Sequence, residues 1–414
     1  MPPLSGCVCP RPFSREIAVV KIKEVRAFPI RNEMVGALYK EGKLANGATA
    51  TRPPWTRDAE VAGPLSGYPR FKAKRSSWRF DGSVGCLVTA EDGTTGFGVT
   101  RHGRPVIALI NDHFAGLLAG EDALATERAW DTMMRASSPY GSGGLSAYAI
   151  SAVDLALWDL KGKILGAPVY VLVGGPAHDR VFCYATGNDT DWHMELGFRA
   201  TKLALPYGAF SGLEGLGRNE ELVARTRALV GADVEILLDC WLALDVDFAV
   251  RLAERLRPYN LGWIEDALLP EPMDAHAALR SRLPWMTLAG GEHWYLPAQF
   301  LEAANRQLLD VFQPDICWSA GLTGCMRINH IAEAAGIKVM LHAGMNTPYG
   351  QHLTYACPNM RWGEFFVGSA PGQPLADARV FPGMAVPEKG WLVPSDEPGF
   401  GLGLTEKALE ALVL

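Results

Sequence analysis

The chain has few of the features that would mark a secreted, membrane-spanning or nucleic-acid-binding protein. It has only 8 cysteines in 414 residues. Six are scattered singly (Cys86, Cys183, Cys240, Cys317, Cys325 and Cys357), the distribution of reduced thiols in packed positions rather than a disulfide framework. Only Cys7 and Cys9 fall close together, and with no second pair nearby they do not make a zinc site. No apolar run approaches the roughly 18 residues that a membrane helix needs. The opening MPPLSGCVCPRPFSRE has no apolar core of the kind a signal peptide carries, so the expected compartment is the cytoplasm. An excess of basic charge is also missing: the formal net charge is -6, which gives no electrostatic case for nucleic acid. What remains is a large chain, 48% hydrophobic, whose default partner is a small molecule.

Residues 1–18 read as a disordered extension. From there AVVKIKEVRAF alternates as a strand does, and SVGCLVTAEDGTTGFGVT reads as two strands around the turn signal Asp92-Gly93. Between them, from about 31 to 79, lies a polar, proline- and glycine-rich stretch without periodicity, of the length expected of a lid. Helical text from about Pro105 to Leu165 is stopped by Gly166-Ala167-Pro168. Eight short apolar runs follow: VFCYATG, ATKLAL, VEILLDCW, LGWIED, MTLAGGEH, DVFQPDI, KVMLHAG and WGEFFVG, most of them separated by amphipathic helical text. That pattern predicts a parallel (β/α)8 barrel over 168–368, with residues 19–167 as an α+β capping domain. The tail, 369–414, cannot supply a ninth unit and is expected to return to the capping domain. SGLEGLG at 211–217 reads as a mobile loop, too irregular for a phosphate site, and His352 as a loop residue.

Catalytic groups of such barrels sit at the C-terminal ends of the strands. There the third, fourth and fifth runs present Asp239, Glu265 and Glu292, each roughly one βα unit after the last. Two carboxylates about 4 Å apart repel by roughly 4 kcal/mol even at an effective dielectric of 20, so three converging acids call for a cation. An all-oxygen set that leaves room for water and substrate suits Mg2+ better than Zn2+. The sixth and seventh runs add Asp315 and His342, a carboxylate and an imidazole on neighbouring strand ends, which makes a general base. His293, next to Glu292, faces the pocket only if the chain turns after its strand, and would then contact substrate. Gly290 and Gly291 read as room kept free beside metal or substrate.

These residues carry a resemblance. ISAVDLALWDLKGKILGAPVYVLVGG, followed in order by the segments around Asp239, Glu265, Glu292, Gln313-Pro314-Asp315 and His342, resembles the enolase superfamily, mandelate racemase subgroup, from about Val20 to the C-terminus. FCYATGND, QPDICWSAGLT and EPGFGLGL are most similar to the L-rhamnonate dehydratase branch. The resemblance implies Mg2+ on Asp239, Glu265 and Glu292, His342 with Asp315 as base, a homo-oligomer, and dehydration of a sugar acid to its 2-keto-3-deoxy product. It also implies substrate contacts from Arg75 in the lid, Lys202 and Glu364. The sequence departs from the subgroup in two places. Racemases of the subgroup use a Lys-x-Lys pair, whereas here the text is Lys202-Leu203-Ala204, which favours one-base dehydration over epimerisation. A lid histidine expected between Trp55 and Glu60 is absent, which leaves the sugar acid open among rhamnonate, lyxonate and mannonate types. Epimerisation, or sugar-acid binding without catalysis, stays the alternative.

Overall fold

The computed structural model describes residues 19–30, 61–71, 82–378, 381–405, 409 and 413. The extension, most of the expected lid with Arg75, Cys7 and Cys9, and most of the closing helical text lie outside the described residues.

The capping domain is built on an antiparallel sheet of β1 (Ile22–Ile30), β2 (Ser83–Ala90) and β3 (Thr95–Thr100). The hairpin forms at the expected turn: Gly93 has φ 88°, and its N–H donates to Ala90 O at 3.0 Å. Helices α1 (Thr126–Ser137) and α2 (Leu145–Leu165) follow. Helix α2 lies directly on β3, where a Cβ at Gly96 or Gly98 would stand 2.0 and 2.1 Å from the carbonyls of Ala156 and Ala152. Only glycine lets the two backbones come that close. Gly166, at φ 64°, ends α2 as the sequence predicts, and Ala167 N–H donates to Gly162 O at 2.9 Å.

The eight apolar runs form eight parallel strands: β4 (Val181–Thr186), β5 (Ala200–Ala204), β6 (Glu235–Asp239), β7 (Trp263–Glu265), β8 (Leu288–Gly290), β9 (Val311–Phe312), β10 (Lys338–Val339) and β11 (Trp362–Phe366). One helix separates each pair: α3 (Thr190–Glu195), α4 (Gly212–Val230), α5 (Val246–Leu256), α6 (Met273–Arg282), α7 (Pro297–Asn305), α8 (Gly321–Ala334) and α9 (Pro348–Ala356). Hydrogen-bonded ladders run from β4 through to β10, and β11 pairs back onto β4. Among the described residues no ladder joins β10 to β11. The side chain of Asn346 bridges that seam, accepting from Phe366 N–H at 2.8 Å and donating to Phe366 O at 3.1 Å.

Because side chains alternate along a strand, the inward positions form layers. The lower layer is apolar, with Tyr184, Ala200, Leu237, Trp263, Ala289, Val311 and Met340 packed together. Two residues further up, the same positions carry Thr186, Lys202, Asp239, Glu265, Gly291, Gln313 and His342, and Glu364 stands two residues above Trp362, which packs on the lower layer. The barrel thus changes from hydrocarbon to charge within one layer, at the end where the loops open.

The tail returns as expected and also adds a strand. Phe400 N–H donates to Asp159 of α2 at 3.0 Å and Val413 bridges to Ile30, while β12 (Trp391–Leu392) pairs antiparallel with β4. Two sequence readings are corrected. SGLEGLG is not a loop but largely the first turns of α4: Leu216 is buried and continues through Asn219 and Val223 on one helical face, while exposed Leu213 blurs the periodicity. His352 is not a loop residue either. It is fully buried in α9, and its Nδ1 accepts from Tyr170 N–H at 3.3 Å.

Candidate active site

Strand register brings the acids together. Asp239 is paired with Glu265 across β6 and β7, and Glu265 with Ala289 on β8, three residues before Glu292. Asp239 and Glu265 are buried on the inward face, and the Asp239 carboxylate accepts from Trp241 N–H at 2.9 Å. Glu265 accepts from Trp263 Nε1 at 2.9 Å and Gln313 Nε2 at 2.7 Å, and pairs with Lys202. Burial raises the pKa of Glu265, with the Lys202 ammonium opposing it.

Lys202 has no exposed surface, and its ammonium lies between Glu265 and Glu364, 2.7 Å from the latter. Burial works against its charge, and the two carboxylates outweigh it, so the ammonium persists. Glu364 accepts from Thr186 Oγ1 at 2.6 Å and from Ala343 N–H at 2.7 Å. It therefore ties β4, β5 and the loop that follows His342. Ala204, where a second base would stand, is buried against Val61 and Trp241 in a small apolar cluster.

The other half of the site is built around His342. Its Nδ1 lies 2.7 Å from Asp315 and its Nε2 3.0 Å from Glu292. Burial pulls this imidazole down, but Glu292 and the Asp315 hydrogen bond outweigh it and lift its pKa to about 10. Burial likewise pushes Glu292 up, yet His342 and His293 hold it below the usual carboxylate range.

The chain does turn after β8. Gly291 takes φ 108°, and His293 comes back with Nε2 3.0 Å from Glu292, off the line of an aligned hydrogen bond. The two glycines serve a different purpose from the one expected. A Cβ at Gly290 would stand 2.7 Å from Asp266 Oδ1, and one at Gly291 would stand 2.8 Å from the Phe300 ring, so packing behind the strand requires them, not metal or substrate.

Four residues were missed by sequence reasoning. Trp318 lies between the two imidazoles, 4.7 Å from His342 and 5.7 Å from His293 between ring centroids, the latter pair stacked at 19°. Tyr148 of α2 meets Trp318 at 5.7 Å and Arg101 stands over it at 5.9 Å, so the capping domain closes one side of the site. Nothing in the sequence pattern marks these residues, because their neighbours come from another domain. Asp266 was also missed. It is buried, its Oδ1 accepts from Gly291 N–H at 3.2 Å, and burial followed by the Glu292 charge lifts its pKa to about 7.

Two overlapping sets of side chains could hold a metal. Among the described residues Asp266, Glu292 and His293 each bring one ligand atom within 4.8 Å of the others. Asp239, Glu265 and Glu292 form an all-oxygen set on successive strand ends. Asp266 follows an inward residue and lines a cavity behind the barrel wall with Ile264, Leu288, His293 and Leu279 of α6. The second set offers carboxylate oxygens only, a donor type that fits Mg2+, whereas the first adds an imidazole nitrogen.

Comparison with known proteins gives the family. Residues 190–408 match the enolase C-terminal domain-like family, and residues 81–174 match the mandelate racemase / muconate lactonizing enzyme N-terminal domain. An L-rhamnonate dehydratase of Saccharopolyspora erythraea is 36% identical over 390 residues, covering 93% of this chain and 97% of its own. The structure of rhamnonate dehydratase from Gibberella zeae complexed with Mg is 32% identical, with a TM-score of 0.87 over 96% of this chain and 97% of that one. The 3,6-anhydro-D-galactonate cycloisomerase of Zobellia galactanivorans is 26% identical, with a TM-score of 0.72 over 95% of this chain and 99% of that one. The chain belongs to the enolase superfamily, in its mandelate racemase / muconate lactonizing enzyme group.

Proposed function

We propose that this chain is a Mg2+-dependent hydro-lyase that dehydrates an aldonic acid of the L-rhamnonate type to the 2-keto-3-deoxy acid. The observation that carries the reading is the asymmetry of the site. It holds a single Asp315–His342 pair, whose imidazole reaches Glu292 beside the strand-end carboxylates Asp239 and Glu265, and Ala204 occupies the place where a second base would be needed. The similarity to L-rhamnonate dehydratases over more than nine tenths of the chain supports the substrate class.

Asp239, Glu265 and Glu292 hold the metal in this reading. When bound, Mg2+ neutralises the three acids and supports the negative charge that develops on the substrate carboxylate. Lys202 is the charge partner of Glu265 and Glu364, and the direct hand to the substrate carboxylate falls to Arg75 in the lid. A cation held by Glu292 would weaken that carboxylate's pull on His342 and so leave the imidazole available as a base. Its Nε2 takes the proton from carbon 2. The same nitrogen then gives that proton to the hydroxyl leaving carbon 3, so that water departs and an enol remains, which becomes the 2-keto acid. Asp315 keeps the Nδ1 proton in place throughout, Glu364 holds the loop behind His342, and His293 contacts a substrate hydroxyl. The enzyme works in the cytoplasm as a homo-oligomer, a point for sedimentation to check.

The test is incubation of the protein and Mg2+ with L-rhamnonate, L-lyxonate and L-mannonate, assaying 2-keto acid. The reading predicts turnover of at least one. No product from any of them would overturn it.

A further inference from the structure

The segment Asp315–Ala320, between β9 and α8, carries both the carboxylate that orients His342 and the tryptophan that packs on it. Within the segment, Cys317 N–H donates to Asp315 Oδ1 at 2.7 Å and Ser319 N–H donates to Asp315 O at 2.7 Å. Yet β9 is only two residues long, so the barrel ladder gives the segment little support. Ser319 Oγ donates to Trp294 O at 3.1 Å within the barrel, and the other ties come from the capping domain. Thr100 Oγ1 at the end of β3 donates to Cys317 O at 2.7 Å, and Trp130 Nε1 of α1 donates to Ala320 O at 2.8 Å.

The remaining ties come from α2, the helix whose sequence is most typical of the family and whose buried acids the chemistry leaves unused. Gly321 N–H donates to Ser151 Oγ at 2.9 Å. Asp154, with no exposed surface, accepts from Thr323 N–H at 3.0 Å and from Thr323 Oγ1 at 2.7 Å. Trp158 Nε1 in turn donates to Thr323 Oγ1 at 2.9 Å. Asp154 thus caps the first turn of α8 from another domain, and a carboxylate there also meets the positive end of the helix. The fit leaves no slack: a Cβ on Gly321 would stand 2.4 Å from Asp154 Oδ2, and Ala320, just before it, is held in the left-handed region at φ 58°.

We propose that Asp154 is a positioning residue for the Asp315–His342 pair, acting through Thr323 and the first turn of α8 on the segment that carries Asp315 and Trp318. It touches neither substrate nor metal. Its removal frees two donors and the end of α8 together, which loosens the base while leaving Asp239, Glu265 and Glu292 on their own strands. The proposal rests on the dehydratase reading for its assay.

The test compares the full chain with D154A, T323V and T323S at a temperature where circular dichroism shows each folded. D154A and T323V are expected to lower kcat for 2-keto acid formation about 10- to 100-fold, while KM and the Mg2+ dissociation constant by calorimetry stay within about threefold. T323S, which keeps the hydroxyl, is expected to retain the wild-type kcat. Should D154A not fold, the T323V and T323S pair makes the same comparison. Wild-type kcat in D154A or T323V with only a lower melting temperature would overturn the proposal, as would a loss of Mg2+ affinity matching the loss of kcat. A wild-type protein that forms no 2-keto acid from any aldonate would sink the dehydratase reading itself, a separate outcome.

Discussion

The two walls of the site are held in different ways. On one wall, Asp239 and Glu265 belong to strands whose ladders run in register, and that register sets the two carboxylates side by side before any side-chain bond refines them. On the other, β9 and β10 are two residues each, the β10–β11 ladder is missing among the described residues, and Asp315, Trp318 and His342 depend on side-chain ties. Those ties come from Asn346, Glu364 and the capping domain. A metal wall needs fixed charge at fixed spacing, which a ladder supplies. A base must reach over the substrate, and here the geometry that allows this is borrowed from loops and a second domain.

The difference can be broken from either side. The largest effect is expected for His342→Asn, which removes the base and leaves the carboxylates in place. Product formation should fall about 10²- to 10⁴-fold, while Mg2+ calorimetry changes little. Lys202→Met should act on both walls at once, because it strands Glu265 and Glu364 without their cation. A loss of about 3–5 kcal/mol in urea unfolding is expected, and a neutral result would show that the ammonium is only filling space.

A third test reaches below the base wall. His352 is buried neutral in α9, and burial lowers its pKa to about 4, against 6.5 in the unfolded chain. The unfolded state therefore binds the proton first as pH drops. The stability linked to this histidine is complete above about pH 6.5 and is lost as pH falls toward about 4, by up to roughly 3 kcal/mol. The acid-side fall in melting temperature should be shallower in His352→Gln than in wild type, and equal slopes would contradict the assignment. The smallest effect is expected for Asn346→Ala at the open seam. It leaves Phe366 N–H and C=O without their partner and should cost about 1–3 kcal/mol, with kcat falling more than Mg2+ affinity.

This division also decides what could be read in the sequence. All eight barrel strands lie where their apolar runs do, and the spacing of Asp239, Glu265 and Glu292, roughly one βα unit each, is visible because each acid closes its own apolar run. The Asp92-Gly93 hairpin and the Gly166 stop are equally local signals. Trp318, Asp266 and Asp154 left no such trace: their roles depend on residues far away in the chain, such as Thr323 against Asp154. The pairing of β12 with β4 and the purpose of Gly290 were hidden for the same reason. SGLEGLG was misread because glycines and one exposed leucine mask a helical face that only Leu216, Asn219 and Val223 reveal.

The most direct measurement of the central claim is the reaction of L-rhamnonate with the wild-type protein and Mg2+ in deuterated water, followed by NMR. One base and no opposing partner predict a 2-keto-3-deoxy acid with one deuterium at carbon 3, and unreacted substrate of unchanged configuration at carbon 2. Accumulation of the carbon 2 epimer without keto acid would contradict the account.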